Sequence, residues 1–188
     1  MLSTAGRILF GYRPILPWIS YRAIKHLDKL IQPDWKVLEF GSGMSTRWLA
    51  PRCKTLVSIE SNAGWHSHVT TILKSSGISN VEYHFADESA YHAGVLEKFP
   101  DGFFDFALVD GYNRAGCMKT SLRKVRKGGW VYLDNSDKIE GKPLGTQDIQ
   151  NAEKLLIEHQ KKTGGKPKYF CDLMPCYALV TEGVLGQV

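Results

Sequence analysis

An α/β fold with a mostly parallel sheet is what this sequence predicts, on three observations. Short apolar runs alternate with longer segments whose apolar residues recur at helical spacing. The most apolar run, FFDFALVDG at residues 103–111, is nearly unbroken, as a strand covered on both faces requires. The successive runs also close on acids, at Glu39, Glu60, Asp87, Asp110 and the Asp134-Asn135 pair. Ligands of open α/β sheets gather outside the carboxyl ends of the strands, so these acids fall where a site is expected.

Taken in order, residues 20–31 carry Ala23, Ile24, Leu27, Leu30 and Ile31 on one face and Arg22, Lys25, Asp28 and Lys29 on the other, which predicts a packed helix stopped by Pro33. Trp18 and Tyr21 at its start are candidate pocket-lining residues. KVLEFGSG then reads as strand and tight turn, with Ser45 or Thr46 capping a short helix that Pro51 ends. TLVSIE at residues 55–60 is a second strand. Asn62 is expected to cap a helix through Leu73, with Gly77 as its stop. A third strand at residues 81–85 precedes a helix expected over 91–99 and an Asp101-Gly102 turn. After the central strand, a basic helix is expected over 114–126, and Gly128-Gly129 turns the chain into WVYLDN. Residues 136–145 are polar and glycine-bearing, the expected loop over the pocket. Ile149, Ala152, Leu155 and Leu156 mark a last helix, and KYFCDL with CYALVT predicts an antiparallel C-terminal hairpin joined by Met174-Pro175.

The totals narrow the function classes. At 188 residues, with 43% hydrophobic and 23% charged residues, the chain reads as one globular domain, with residues 1–35 as an arm and helix packed on a core of 36–188. Chemistry and substrate binding must then share one fold. The net charge of +5 is met by a solvated basic surface, and the basic run Lys119, Arg123, Lys124, Arg126, Lys127 has no interleaved aromatic residue to stack bases, so nucleic acid is not the expected partner. Cys53, Cys117, Cys171 and Cys176 form no C-x-x-C pair, which points to a reducing, cytoplasmic setting. The apolar lead-in is broken by Arg7, Arg13, Pro14 and Pro17 short of the ~20 residues a membrane span needs. Its Ile8, Leu9, Phe10 and Trp18 are expected to pack on the domain.

The turn between Glu39 and Ser45 carries most of the chemistry. Gly41 and Gly43 remove the Cβ atoms that would hold a ligand off the backbone. A dinucleotide turn of the G-x-G-x-x-G kind would place its third glycine at Thr46, which counts against NAD and a nicotinamide-dependent oxidoreductase. Glu39 would repel a pyrophosphate and attract a cation, such as the sulfonium or ammonium of S-adenosylmethionine (SAM). Glu60, about 20 residues further on, stands where such folds keep an acid for a ribose diol. His66 and His68, two apart on a helix, make poor joint metal ligands.

EFGSG resembles the first motif of class I SAM-dependent methyltransferases, and the ordered strand-end acids extend that resemblance over roughly residues 36–181. It implies a Rossmann-like methyltransferase fold, a seven-stranded sheet with one antiparallel strand near the edge. It further implies a SAM site built from Glu39, Gly41, Ser42, Gly43, Ser45, Glu60, Asp87 and Asp110, with Asp87 placed for the adenine amine. Asp110 with Asp134 and Asn135 is similar to the metal site of cation-dependent O-methyltransferases, which implies Mg²⁺ orienting an acceptor hydroxyl. That family carries a lysine three residues past the first aspartate, where this chain has Asn113 followed by Arg114. VDGYNRAGC, VYLDNSD and PWISYRAIKHL also look like bacterial methyltransferases of glycan or secondary-metabolite modification. There Asp110 would place substrate or cofactor without a metal, Arg114 would bind an anionic group of the acceptor, and His92 is a spare base. The expected activity is methyl transfer to a hydroxyl, or less favoured an amine, of a small-molecule or sugar-like acceptor. A non-catalytic RNA-binding module on the same fold is the rival outside enzymology.

Overall fold

The computed structural model describes residues 14–87, 91, 94–136 and 146–188. The arm residues Ile8, Leu9 and Phe10, the base candidate His92 and nearly all of the expected pocket loop (137–145) lie outside the described residues. The strands are β1 (Lys36–Phe40), β2 (Thr55–Glu60), β3 (Val81–Phe85), β4 (Phe104–Val109), β5 (Val125–Asp134), β6 (Lys168–Leu173) and β7 (Val180–Gln187). The helices are α1 (Tyr21–Leu30), α2 (Met44–Leu49), α3 (Ala63–Ser75), α4 (Arg114–Lys124) and α5 (Thr146–Thr163). One sheet holds all seven strands in the order β3-β2-β1-β4-β5-β7-β6. The first five are parallel, and β7 runs antiparallel to both β5 and β6. No helix among the described residues is long and apolar enough to cross a membrane.

The alternation of residues along β1 sends two hydrophobic sets to opposite faces, and each face is covered. Val37, Leu56, Phe106, Leu108 and Leu185 meet Ala23, Ile24 and Leu27 of α1 and Trp48 and Leu49 of α2. Leu38, Phe40, Val57, Ile59, Ala107, Val109, Val131 and Leu133 meet Cys117 and Met118 of α4 and Ala152 and Leu156 of α5. This explains why the strand sequences lack polar alternation. Glu39 and Ser58 are register partners on β1 and β2, so a carboxylate and a hydroxyl sit side by side on the α1/α2 face.

Several local expectations shift. Ser20 caps α1 by accepting from the Ala23 amide at 3.2 Å, and its hydroxyl donates to the Phe170 carbonyl at 3.0 Å, fastening α1 to β6. α2 begins one residue earlier than Ser45, with Gly43 at its N-cap; Thr46 serves the cap from inside, its hydroxyl accepting from the Gly43 amide at 2.9 Å. Asn62 caps α3 as expected, accepting from the Trp65 amide at 2.8 Å. The helix expected over 91–99 is a 3-10 segment, Gly94–Lys98. The basic helix ends at Lys124 because Val125 already pairs with Phe104.

The second strand of the hairpin is displaced: residues 175–178 form a turn and bend, with Cys176 at φ 66°, and β7 runs from Val180 through two glycines. Those glycines are packing residues. A Cβ at Gly183 would fall 1.9 Å from the Tyr132 hydroxyl and one at Gly186 2.7 Å from Leu156 Cδ1, so β7 can pair with β5 only without side chains there.

Candidate functional site

The carboxyl ends of β2, β1, β4 and β5 lie side by side, and the turns leaving them form the candidate site. Its centre is the Gly41–Gly43 turn. Gly41 has φ 88°, and a Cβ there would lie 2.7 Å from the Asp110 carbonyl oxygen and 2.9 Å from Gly111 Cα. Its lack of a side chain therefore serves first to let the β1 turn nestle against the β4 turn. Beneath them Tyr91 is buried, its hydroxyl donating to the Ile59 carbonyl at 3.2 Å.

Glu39 sits below the turn and not on its open side. It is fully buried, and its Oε2 accepts from the Thr46 and Ser58 hydroxyls, each at 2.6 Å. Its Oε1 has no partner among the described residues. Burial pushes its pKa up to about 7, against the pull of the Ser45, Ser58 and Thr46 hydroxyls. The full negative charge expected at the turn is thus only partly present at neutral pH.

Glu60, on the neighbouring strand, is engaged by four donors. Oε2 accepts from the Ser42 amide at 3.1 Å and the Ser42 hydroxyl at 2.9 Å. Oε1 accepts from the Ser61 and Asn62 amides, both at 2.9 Å. Ser42 also shares a 2.6 Å hydrogen bond with the Tyr83 hydroxyl of β3. A carboxylate offers about four lone-pair positions, so Glu60 is saturated here by neutral groups. The Ala86 amide donates to the Glu60 carbonyl at 3.0 Å, which sets exposed Asp87 beside the end of β2.

Arg114 organises the other half. Nε donates to the Gly111 carbonyl at 3.2 Å; Nη1 donates to the Asp134 carbonyl at 2.6 Å and Asn135 Oδ1 at 2.9 Å; Nη2 donates to Asp110 Oδ1 at 2.8 Å and the Asp110 carbonyl at 3.4 Å. All five N–H donors of the guanidinium are consumed. The backbone that positions Arg114 is itself pinned, because Asp148 of α5 accepts from the Arg114 and Ala115 amides at 2.6 and 3.0 Å. Asn113 adopts φ 47° and accepts from the Gly116 amide at 3.1 Å, an N-cap role that suits asparagine and accounts for the missing lysine.

These contacts bear on two expectations. A divalent cation at the Asp110, Asp134, Asn135 set would not find all its ligands free, because Asp110 Oδ1 and Asn135 Oδ1 already face the fixed positive charge of Arg114. The Asp134 carboxylate is 2% exposed and accepts from the Tyr132 hydroxyl at 3.3 Å; burial and the neighbouring Asp110 charge hold it well above the ordinary carboxylate range. Nor is Arg114 free to take an acceptor's anion. Asp110 is also raised by burial, with Arg114 pulling the other way.

Glu39, Gly41, Ser42, Gly43, Ser45, Glu60 and Asp110 are therefore brought together around one turn, with Asp87 at its β3 flank and Asp134 and Asn135 tied in through Arg114. Two residues went unnoticed in the sequence, Tyr83 and Trp65. The Trp65 indole N–H donates to the Ser42 carbonyl at 2.8 Å, covering the turn from α3. Its one visible signal is position, an aromatic residue in the first turn after a capped strand-end acid.

No family model and no curated protein matches the chain. Among solved structures, it is similar to an O-methyltransferase from Bacillus cereus in complex with SAH, at TM-score 0.70 and 16% identity over 100% of this chain and 97% of that one. It is also similar to the O-methyltransferase TomG from Streptomyces achromogenes in complex with SAM, at TM-score 0.67 and 18% identity, covering 100% and 88% of the two chains. A SAM-dependent methyltransferase from Aquifex aeolicus matches at TM-score 0.62 and 12% identity, covering 100% and 95%. The fold is thus the Rossmann-like fold of SAM-dependent methyltransferases.

Proposed function

We propose that this protein is a metal-independent SAM-dependent methyltransferase acting on a hydroxyl group of a small-molecule or sugar-like acceptor. The observation that carries the reading is the glycine turn of β1 held between Glu60 of β2 and Asp110 of β4, in a fold similar to that of the methyltransferases above. The residues fit the cofactor. Ser42 and Glu60 present hydroxyl and carboxylate together for a ribose diol, which can take over lone pairs now held by Ser42. Asp87 flanks the place of the adenine, and the orphan Oε1 of Glu39 lies under the turn.

Bound SAM would supply an electrophilic methyl group for in-line displacement by the acceptor oxygen. The protein's part is alignment, exclusion of water and placement of the acceptor proton. Asp110, bonded to Arg114 through Oδ1, would offer Oδ2 to the acceptor hydroxyl. Arg114 supplies the fixed positive charge beside it, so no metal is assigned. A cytoplasmic location belongs to the same reading.

Calorimetric titration with SAM and with NAD, each in EDTA, tests this. Micromolar SAM binding without an NAD signal is expected, and Glu60→Ala should weaken it at least tenfold, since charge-assisted hydrogen bonds contribute about 1.5–3 kcal/mol. SAH release from hydroxylated acceptors should persist in EDTA. Silence from SAM on a folded sample would sink the reading and make salt-dependent RNA retention the next assay.

A further inference from the structure

A second concavity adjoins the glycine turn at Gly43. It is a cavity of about 220 Å³ between α2 and α3, lined by Trp18, Gly43, Met44, Arg47, Trp65, His68, Val69 and Ile72. Its walls are two indoles, a thioether and two branched aliphatic side chains, the lining of a small-molecule pocket. An apolar cavity of about 150 Å³ takes up benzene. This one has room for a six-membered ring with one substituent.

The polar part of the lining decides what the substituent is. Arg47 forms no ion pair among the described residues, and its only hydrogen bond there is a long one, 3.5 Å from Nη2 to the Ser76 hydroxyl. Its Nε is buried, with no partner among the described residues. This contrasts with Arg52, five residues on, which pairs with Asp28 at 2.8 Å, stacks 4.2 Å from the Trp48 ring and donates to the Trp48 carbonyl. A buried guanidinium N–H left unpaired is costly unless something pairs with it. Among the described residues no carboxylate lines the cavity, and the imidazole of His68, the other titratable group of that lining, is exposed.

We infer that this cavity binds a planar, ring-bearing carboxylate, the ring lying between Trp18 and Trp65 and the carboxylate meeting Arg47. The cavity shares Gly43 with the strand-end site, and the rest of its lining comes from Trp18, α2 and α3. It needs neither SAM nor an acceptor, so it stands or falls independently of the proposed activity. Its ligand would touch the glycine turn from behind, through Gly43 and the indole that holds the Ser42 carbonyl.

Benzoate, benzyl alcohol and acetate, titrated into the full chain without SAM and followed by tryptophan fluorescence and calorimetry, make the test. Benzoate should bind at least tenfold more tightly than either control, because one lacks the charge and the other the ring. Arg47→Met should reduce benzoate affinity at least tenfold and leave benzyl alcohol within about twofold. Ile72→Phe, which fills the cavity, should weaken both, with thermal melts confirming that each variant is folded. Absence of benzoate binding, equal affinity for benzoate and benzyl alcohol, or benzoate binding unchanged in Arg47→Met would each overturn the assignment.

Discussion

The two halves of the strand-end site hold their charges in opposite ways. Around the glycine turn, Glu60 is bound among the described residues by neutral donors, two from Ser42 and two from the main chain of residues 61 and 62. Across the sheet, Arg114 is bound by a carboxylate, an amide and three main-chain carbonyls that belong to the ends of β4 and β5. Neutral hydroxyl donors can be exchanged for those of a ligand at little cost, whereas a saturated ion pair cannot be opened without exposing a charge. The first half is therefore built to exchange partners and the second to stay closed.

The largest effect should come from breaking the closed half. Arg114→Ala leaves Asp110 and the buried Asp134 without their counter-ion, a loss of roughly 3–5 kcal/mol for a buried pair. Urea denaturation reads it directly. Removing the guanidinium would raise both carboxylate pKa values further, so the deficit should be larger at pH 8 than at pH 5. A deficit that does not depend on pH would mean that Arg114 acts through its packing and not its charge.

A smaller effect sharpens the exchangeable half. Glu39 has its pKa raised from 4.5 to about 7 by burial. For an acid raised on folding, the native state holds more protons than the unfolded chain between those two values, so stability falls as pH rises through that window. At about 1.36 kcal/mol per unit, the loss between pH 5 and pH 8 is roughly 2–3 kcal/mol. Glu39→Gln keeps an acceptor for Thr46 and Ser58 but cannot ionise, so its stability should fall less over that range by this amount. Asp110 and Asp134 titrate in both proteins, which is why the difference between the two curves is the informative quantity.

Why these halves were unequally legible follows from what a sequence displays. The strands and their order of acids were readable because apolar runs and charged ends are properties of residue type. CYALVT places the second hairpin strand too early, because nothing in residue type marks Gly183 and Gly186 as strand positions that leave room for Tyr132 and Leu156. Arg114 was visible as a departure from the cation-dependent pattern. Its consequence was not, because three of the five acceptors that saturate it are main-chain carbonyls, which every residue carries and no motif records. Glu39 was legible in place and not in direction: only the pairing with Ser58 across β1 and β2 shows that its carboxylate points into the α1/α2 face.

The finest test concerns Trp65, which joins the exchangeable half to the cavity behind it. Its ring is 38% exposed, so water can replace the indole N–H, and losing the 2.8 Å bond to the Ser42 carbonyl should cost about 1 kcal/mol or less. Trp65→Phe keeps an aromatic wall but removes that donor. SAM affinity should fall by no more than a factor of about five, the equivalent of 1 kcal/mol. Benzoate affinity should stay within about threefold, since the ring and Arg47 remain. If SAM binding is unaffected, the turn is held by Glu60 and Thr46 alone and Trp65 belongs to the cavity. If both affinities fall together, the indole couples the two sites, and the glycine turn moves with whatever occupies the space behind it.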